Sequence, residues 1–235
     1  VNAWTGEECK LFEKEFAKFS NSKYAIAMAN GSLALWAAYR AIGIKKDDEI
    51  ITTPRTFIAT TSSALLLGAK PIFADVDRDS GAITPKTIES LINKKTKAIA
   101  VVHLGGWPAD MHSISRLAKA NNLSLIEDCS QAHGAFISGK SVGSFGDIST
   151  WSFCQDKIIS TGGEGGMITT SNEILYNKLW SYKDHGKTLE AIKKTNKGNS
   201  FKWLHEELGS NFRLTEMQSA IGRIQLSHIK TTQAK

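Results

Sequence analysis

Seven short runs rich in Val, Ile, Ala and Thr recur along the chain, at 24–29, 49–53, 71–74, 98–103, 123–128, 148–153 and 167–170. Longer stretches of helical period fall between most of them, at 33–42, 57–67, 86–92, 111–120 and 173–185. A short, continuous apolar run bounded by turn residues reads as a strand buried on both faces, and strands alternating with helices pair in parallel beneath helical layers. The chain is therefore read as α/β, with a mainly parallel seven-stranded sheet carrying helices on both faces. A length of 235 residues, 41% of them hydrophobic, is enough for one large domain.

Other classes drop out on composition and spacing. No apolar run is long enough to span a bilayer, and Val1-Asn-Ala-Trp4 is not the basic start of a signal peptide. Cys9, Cys129 and Cys154 are spaced neither for a disulfide framework nor for zinc, which points to a reducing cytoplasm. His103, His112 and His133 fall into no ligand spacing, so no metal is expected. Much of the formal charge of +6 lies between Lys183 and Lys202, among Gly, Asn and Thr, in a segment read as a mobile loop. Without an aromatic-interleaved basic motif, nucleic-acid binding is not expected, whereas a basic surface suits phosphate-bearing small molecules.

The final stretch, 214–229, has a helical apolar face and follows a compact turn at 209–213. The chain starts without an initiator methionine and stops just after this helix, which reads as a gene fragment. The expected division is a large α/β domain over 1–208, then a dimer-contact turn and a helix over 209–235 leading toward a small C-terminal domain. An uncovered domain interface would favour aggregation.

Chemistry in an open α/β sheet gathers where strands end and helices begin. Lys157 lies between the strand-like run at 148–153 and the turn Gly162-Gly-Glu-Gly-Gly166, which presents a reactive amine. A partly desolvated lysine in such a place condenses with an aldehyde, the way pyridoxal 5'-phosphate (PLP) is held as a Schiff base. At Asn30-Gly31-Ser32-Leu33 a glycine admits close backbone approach, Ser32 is placed to cap the next helix, and the first-turn amides form an anion site. An ordinary helix cap has the same look. Phe57, at the start of the helical stretch after the second strand, either stacks on a flat ring or packs into the core. Asp128, at the tip of the fifth strand, either caps the next turn or pairs with a pyridinium nitrogen, with Gln131 then reaching the ring's phenolic oxygen. In the turn-cap alternative His133 is a satisfied polar residue at the sheet edge.

Taken together, Asn30-Gly-Ser-Leu-Ala34, Glu127-Asp-Cys-Ser-Gln-Ala-His-Gly134, Trp151-Ser-Phe153, Lys157 with Gly162–Gly166, and Asn211-Phe-Arg213 closely resemble the DegT/DnrJ/EryC1/StrS family of sugar aminotransferases. The resemblance covers essentially the whole chain and implies the aspartate-aminotransferase fold, PLP fold type I. It implies that Lys157 forms the Schiff base and then shuttles a proton, that Asp128 holds the pyridine nitrogen, and that Gln131 bonds the ring oxygen beneath Phe57. The phosphate would meet the Gly31–Leu33 backbone, the Ser32 side chain and the Ser152 hydroxyl, while Asn211 would reach the phosphate of a neighbouring subunit in a homodimer with shared sites. The implied reaction is transamination of a keto group on a nucleotide-linked deoxysugar with glutamate as donor, for cell-surface polysaccharide or secondary-metabolite biosynthesis.

The chain departs from the family pattern at Cys154-Gln155-Asp156, where many relatives carry a proline-containing stretch, and at Cys129-Ser130, where two small apolar residues are usual. Three rivals are weighed. A dehydratase of the same family replaces the lysine by histidine, and Lys157 argues against it. A non-catalytic regulatory relative would bind cofactor without turnover. A dinucleotide-binding dehydrogenase needs Gly-x-Gly-x-x-Gly after the first strand, which Asn30-Gly-Ser-Leu-Ala-Leu35 lacks.

Overall fold

The strands form because their Val, Ile and Ala side chains are covered from both sides. The structure, a computed structural model, describes residues 6–195 and 205–229. Its main sheet contains β1 (Tyr24–Met28), β2 (Glu49–Thr52), β3 (Lys70–Phe73), β4 (Thr96–Val102), β5 (Ser124–Asp128), β8 (Ile148–Ser152) and β9 (Gly166–Thr170). Each sequence-predicted strand is present within a few residues of its expected bounds. The spatial order is β1-β9-β8-β5-β4-β2-β3. All neighbours pair in parallel except β9, which runs antiparallel to both β1 and β8. A two-stranded ribbon of β6 (Phe136–Ile137) and β7 (Lys140–Ser141) stands apart; strands of two residues carry no periodicity to detect.

Alternate residues of each strand feed opposite faces. On one face Ile26, Met28, Ala98, Ala100 and Ile126 pack against α2 (Gly31–Ala41), α3 (Ala59–Leu65) and α6 (Glu173–Lys183). On the other, Ile99, Val101 and Leu125 meet α4 (Pro85–Glu89) and α5 (Met111–Ala120). Farther along that face, Ala25, Ala27, Trp151 and Met167 meet α1 (Glu7–Phe19) and α8 (Glu216–Ser227). The expected two-sided covering is thus present.

Three differences from the sequence reading have identifiable causes. Helix α1 is not among the helices expected from sequence, and its Gly6 cap has no side-chain hydrogen bond. Its first amides are satisfied from far along the chain, with Glu8 N and Cys9 N donating to the Glu216 carboxylate at 2.9 and 3.1 Å. Arg223 of α8 completes the contact by bonding Glu15 through Nε and Nη2 and Glu8 through Nη1. Second, the lysine-rich segment read as a loop carries α7 (Leu189–Thr195), begun by Ala191 N donating to Thr188 Oγ1 at 3.1 Å. Residues 196–204 of that segment lie outside the described ones. Third, α3 starts at Ala59, so Phe57 stands before the helix.

Candidate active site

The C-terminal ends of β4, β5 and β8 and the N-terminus of α2 converge on a cavity of about 670 Å³. Its wall brings together Gly31, Ser32, Phe57, Asp128, Gln131, Ser152 and Lys157, seven of the nine residues expected from sequence. Leu33 and Asn211 are not among its lining residues.

At the α2 end the sequence dictates a close approach. A Cβ on Gly31 would stand 2.8 Å from Ser152 Cβ, and one on Gly166 would stand 2.5 Å from both the carbonyl carbon and oxygen of Asn30. Glycine at both positions lets the start of α2 sit directly over β8 and β9. Asn30 caps the helix, accepting from Leu33 N at 2.9 Å. Ser32 does not perform the capping expected of it, and its exposed side chain lines the cavity. Because Leu33 spends its amide on Asn30 and packs half-buried against the core, it is placed outside the expected cradle. What remains facing the cavity is a helix start with Gly31, Ser32 and the Ser152 hydroxyl, an array suited to a phosphate.

Across the cavity, Asp128 is held by three donors: Thr60 Oγ1 at 2.7 Å, Ser130 Oγ at 2.7 Å and Ser130 N at 3.2 Å. Thr60 is steadied in turn by Thr56, their hydroxyls 2.8 Å apart. Neither threonine is among the site residues expected from sequence, although the two lie four residues apart, and Ser130 is noted there as a departure from the family pattern. Asp128 is 5% exposed and lines the cavity. Gln131 accepts from Gly105 N at 2.7 Å, which leaves its amide nitrogen as a donor. Phe57 is 68% exposed and lines the cavity, so it is not spent in the core. The Lys157 amine meets both Asp156 carboxylate oxygens at 2.9 and 3.0 Å, an ion pair the motif reading did not anticipate. Asp156 is held below the ordinary carboxylate range by the hydrogen bond from Lys157, burial opposing.

Behind the site, Glu127 and His133 are wholly buried. Burial alone would raise the Glu127 carboxyl, but the hydrogen bond with His103 and those from the Gly146 and Gly143 amides hold it below its usual value. The Ala109 amide donates to His103 Nδ1 at 3.2 Å, which assigns the proton to Nε2, facing Glu127 at 3.2 Å. His103, Glu127 and Cys129 thus approach one another closely enough to resemble a metal set. The imidazole nitrogens and Glu127 oxygens are, however, already engaged in this network. His133 is not at a sheet edge; its ring packs against Trp151 and Phe153.

The cavity wall offers an aromatic face at Phe57, a helix start at Gly31 and Ser32, a carboxylate at Asp128 and an amine at Lys157. PLP carries a partner for each of them: a flat ring, a phosphate, a basic ring nitrogen and an aldehyde. The cavity therefore suits PLP on its own donor set.

The mainly parallel sheet with a cavity at its strand ends is the fold of PLP fold type I. The DegT/DnrJ/EryC1/StrS aminotransferase family profile matches residues 2–235, and the chain belongs to that family. It is 41% identical over 94% of its length to the GDP-perosamine synthase of Escherichia coli O157:H7, covering 58% of that protein. It is 41% identical over 95% of its length to a UDP-N-acetyl-3-dehydro-alpha-D-glucosamine 3-aminotransferase of Acidithiobacillus ferrooxidans, again covering 58% of it. The aminotransferase structure from Psychrobacter cryohalolentis superposes with a TM-score of 0.94 at 56% identity, over 97% of this chain and 57% of that one. The chain spans little more than half the length of these relatives.

Proposed function

We propose that this chain carries the cofactor-binding part of a PLP-dependent aminotransferase that aminates a keto carbon of a nucleotide-linked deoxysugar, with glutamate as donor. The observation that carries the reading is the placing of the Lys157 amine and the Asp128 carboxylate in one cavity with the Gly31–Ser32 helix start. PLP, when bound there, supplies an electron sink that makes the substrate's α-hydrogen acidic. Asp128 holds the ring nitrogen, and Gln131 donates its amide N–H to the ring oxygen. Phe57 covers one ring face, while Gly31, Ser32 and Ser152 bind phosphate. Lys157 would anchor the cofactor, and its Nζ, once released as the neutral amine, would accept and return the migrating proton; Asp156 is placed to orient Nζ while it carries that proton.

The amino-sugar names of the relatives support the substrate class. Among the described residues no helix is long and apolar enough to cross a membrane, and a cytoplasmic setting, where sugar nucleotides are made, accords with the reading. The enzyme works as a homodimer in which Asn211 serves the neighbouring subunit's phosphate. In support, Asn211 is exposed on the bridge it makes with Asp184, and Ile58, Leu65, Leu66 and Phe73 expose apolar surface on and around α3 and β3. The test is the visible spectrum of the purified protein with PLP, before and after borohydride. A yellow band that borohydride fixes covalently, and that Lys157→Ala abolishes, is the expected result. A folded protein without that band overturns the proposal.

A further inference from the structure

Beside the cofactor cavity lies a second one of about 440 Å³, walled by the loops after β2, β3 and β4. Val102, the last residue of β4, lines both. The second cavity presents two guanidinium groups, Arg55 and Arg78, and an indole, Trp107. Its size falls in the range of roughly 300 to 1,000 Å³ usual for small-molecule sites.

None of these three side chains is explained by the fold. Arg55 spends Nη1 on the Gly81 carbonyl at 3.0 Å, and neither arginine forms an ion pair among the described residues. One carboxylate, Asp79, shares the wall, so positive charge prevails in the cavity by one unit. Trp107 is 67% exposed, and no described ring or cation packs on it, although burying an indole is worth more than burying most other side chains. The indole is nonetheless placed by the fold. It follows the turn Leu104–Gly106, which is tied to the cofactor cavity by Gly105 N donating to Gln131 Oε1 at 2.7 Å.

Two guanidiniums without an ion pair among the described residues suit a pyrophosphate, which they bind through forked hydrogen bonds, and an open indole suits a flat heterocycle. We infer that the Arg55–Arg78–Trp107 cavity is the subsite for the nucleoside diphosphate part of the substrate, leaving the sugar to extend past Val102 toward Lys157. The inference rests on the proposed function and adds to it the residues that hold the nucleotide.

The test is calorimetric titration of the PLP-loaded protein with UDP, GDP and dTDP, each alone, for the native chain, for Trp107→Ala and for Arg55→Gln with Arg78→Gln. At least one nucleotide should bind the native protein saturably, with affinity falling as salt rises. The double arginine variant should bind it about tenfold or more weakly, the loss expected when charge-assisted bonds are removed, and Trp107→Ala should weaken it severalfold. The PLP band should be unchanged in all three proteins. Nucleotide should also shield one tryptophan from acrylamide quenching in the native protein, and this shielding should be lost in Trp107→Phe, a reading that holds even if the arginine variant fails to fold. Equal binding by the native protein and the variants, or shielding that persists in Trp107→Phe, would overturn the subsite while leaving the sugar-nucleotide reading in place. If none of the three nucleotides binds the PLP-loaded protein, the subsite and the substrate class both fall, although the borohydride result at Lys157 would still stand. A variant that changes oligomeric state with unaltered nucleotide affinity would assign the cavity to a contact between copies instead.

Discussion

Asp128 illustrates how much a single position conveys before the structure is seen. Its place at the tip of an apolar strand left open a turn cap or a cofactor contact, and in the structure it touches both worlds: Ser130 N donates to Oδ1 as in a turn, while the residue lines the cavity. The donors from Thr60 and Ser130 would persist with an amide in its place only after reorientation, and the negative charge would be gone. Asp128→Asn should therefore cut turnover by about two orders of magnitude or more, the scale of losing a group that acts on the reacting system. The borohydride-fixed band should survive, and steady-state rates together with that spectrum check both halves. His133 carries a different consequence. Burial pushes its imidazole down to about 3, against a backbone hydrogen bond at Ser152 and with Lys157 adding to the fall. An unfolded chain takes up this proton below about pH 6.5, but the folded one does not. The stability owed to the neutral ring is complete above that pH and is lost as pH falls from it toward 3, by at most about 1.4 kcal/mol per pH unit. Denaturant midpoints on either side of pH 6.5 should show that slope, and His133→Gln should flatten it.

At the scale of elements, the strands were legible because burial on both faces leaves an unbroken apolar run, as in the Ile99–Val102 stretch. Helix α1 was not, because what fixes it is long-range. Phe12 and Phe16 do lie one turn apart, but the helix is capped by Glu216 and anchored by Glu13. Glu13 Oε1 accepts from Lys183 Nζ and from Ala27 N, each at 2.9 Å, tying α1 to α6 and β1 at once. Lys183 is nearly inaccessible; burial works against its charge, and Glu13 more than restores it, leaving it above the ordinary lysine value. Glu13→Gln would strand that ammonium and should cost about 3 kcal/mol. Urea unfolding of the native and variant proteins measures it. The cofactor cavity was legible for the same kind of reason as the strands, since Gly31, Asp128 and Lys157 each sit at a strand end that local pattern can locate. The Thr60–Asp128 contact was not, for it depends on which loop folds against which, and the Asp156–Lys157 pair was not, for it rests on the rotamers of two adjacent side chains.

Across the whole molecule, the seven strands and their mainly parallel pairing followed from recurrence, whereas their spatial order and the reversal of β9 did not. A strand of five buried residues reads the same in either direction. The arrangement of copies belongs to this scale as well. If Asn211 serves a neighbouring site, Asn211→Ala should weaken PLP binding severalfold in the dimer, and diluting the native protein below its dimer dissociation constant should bring its PLP affinity to the same level. Equilibrium dialysis at several protein concentrations decides it; a monomer that binds PLP as tightly as the dimer would count against the role.

The reversed strand also sets a timetable. Met28 pairs with Gly166, and the backbone at Asn30 rests where a Gly166 side chain would be. The start of α2 is therefore seated by residues made far later, after every parallel strand has been synthesised. If the cavity binds PLP as proposed, an emerging chain that has assembled β2, β4 and β5 still lacks that seat, and the cofactor waits until β9 has left the ribosome and paired with β1 and β8.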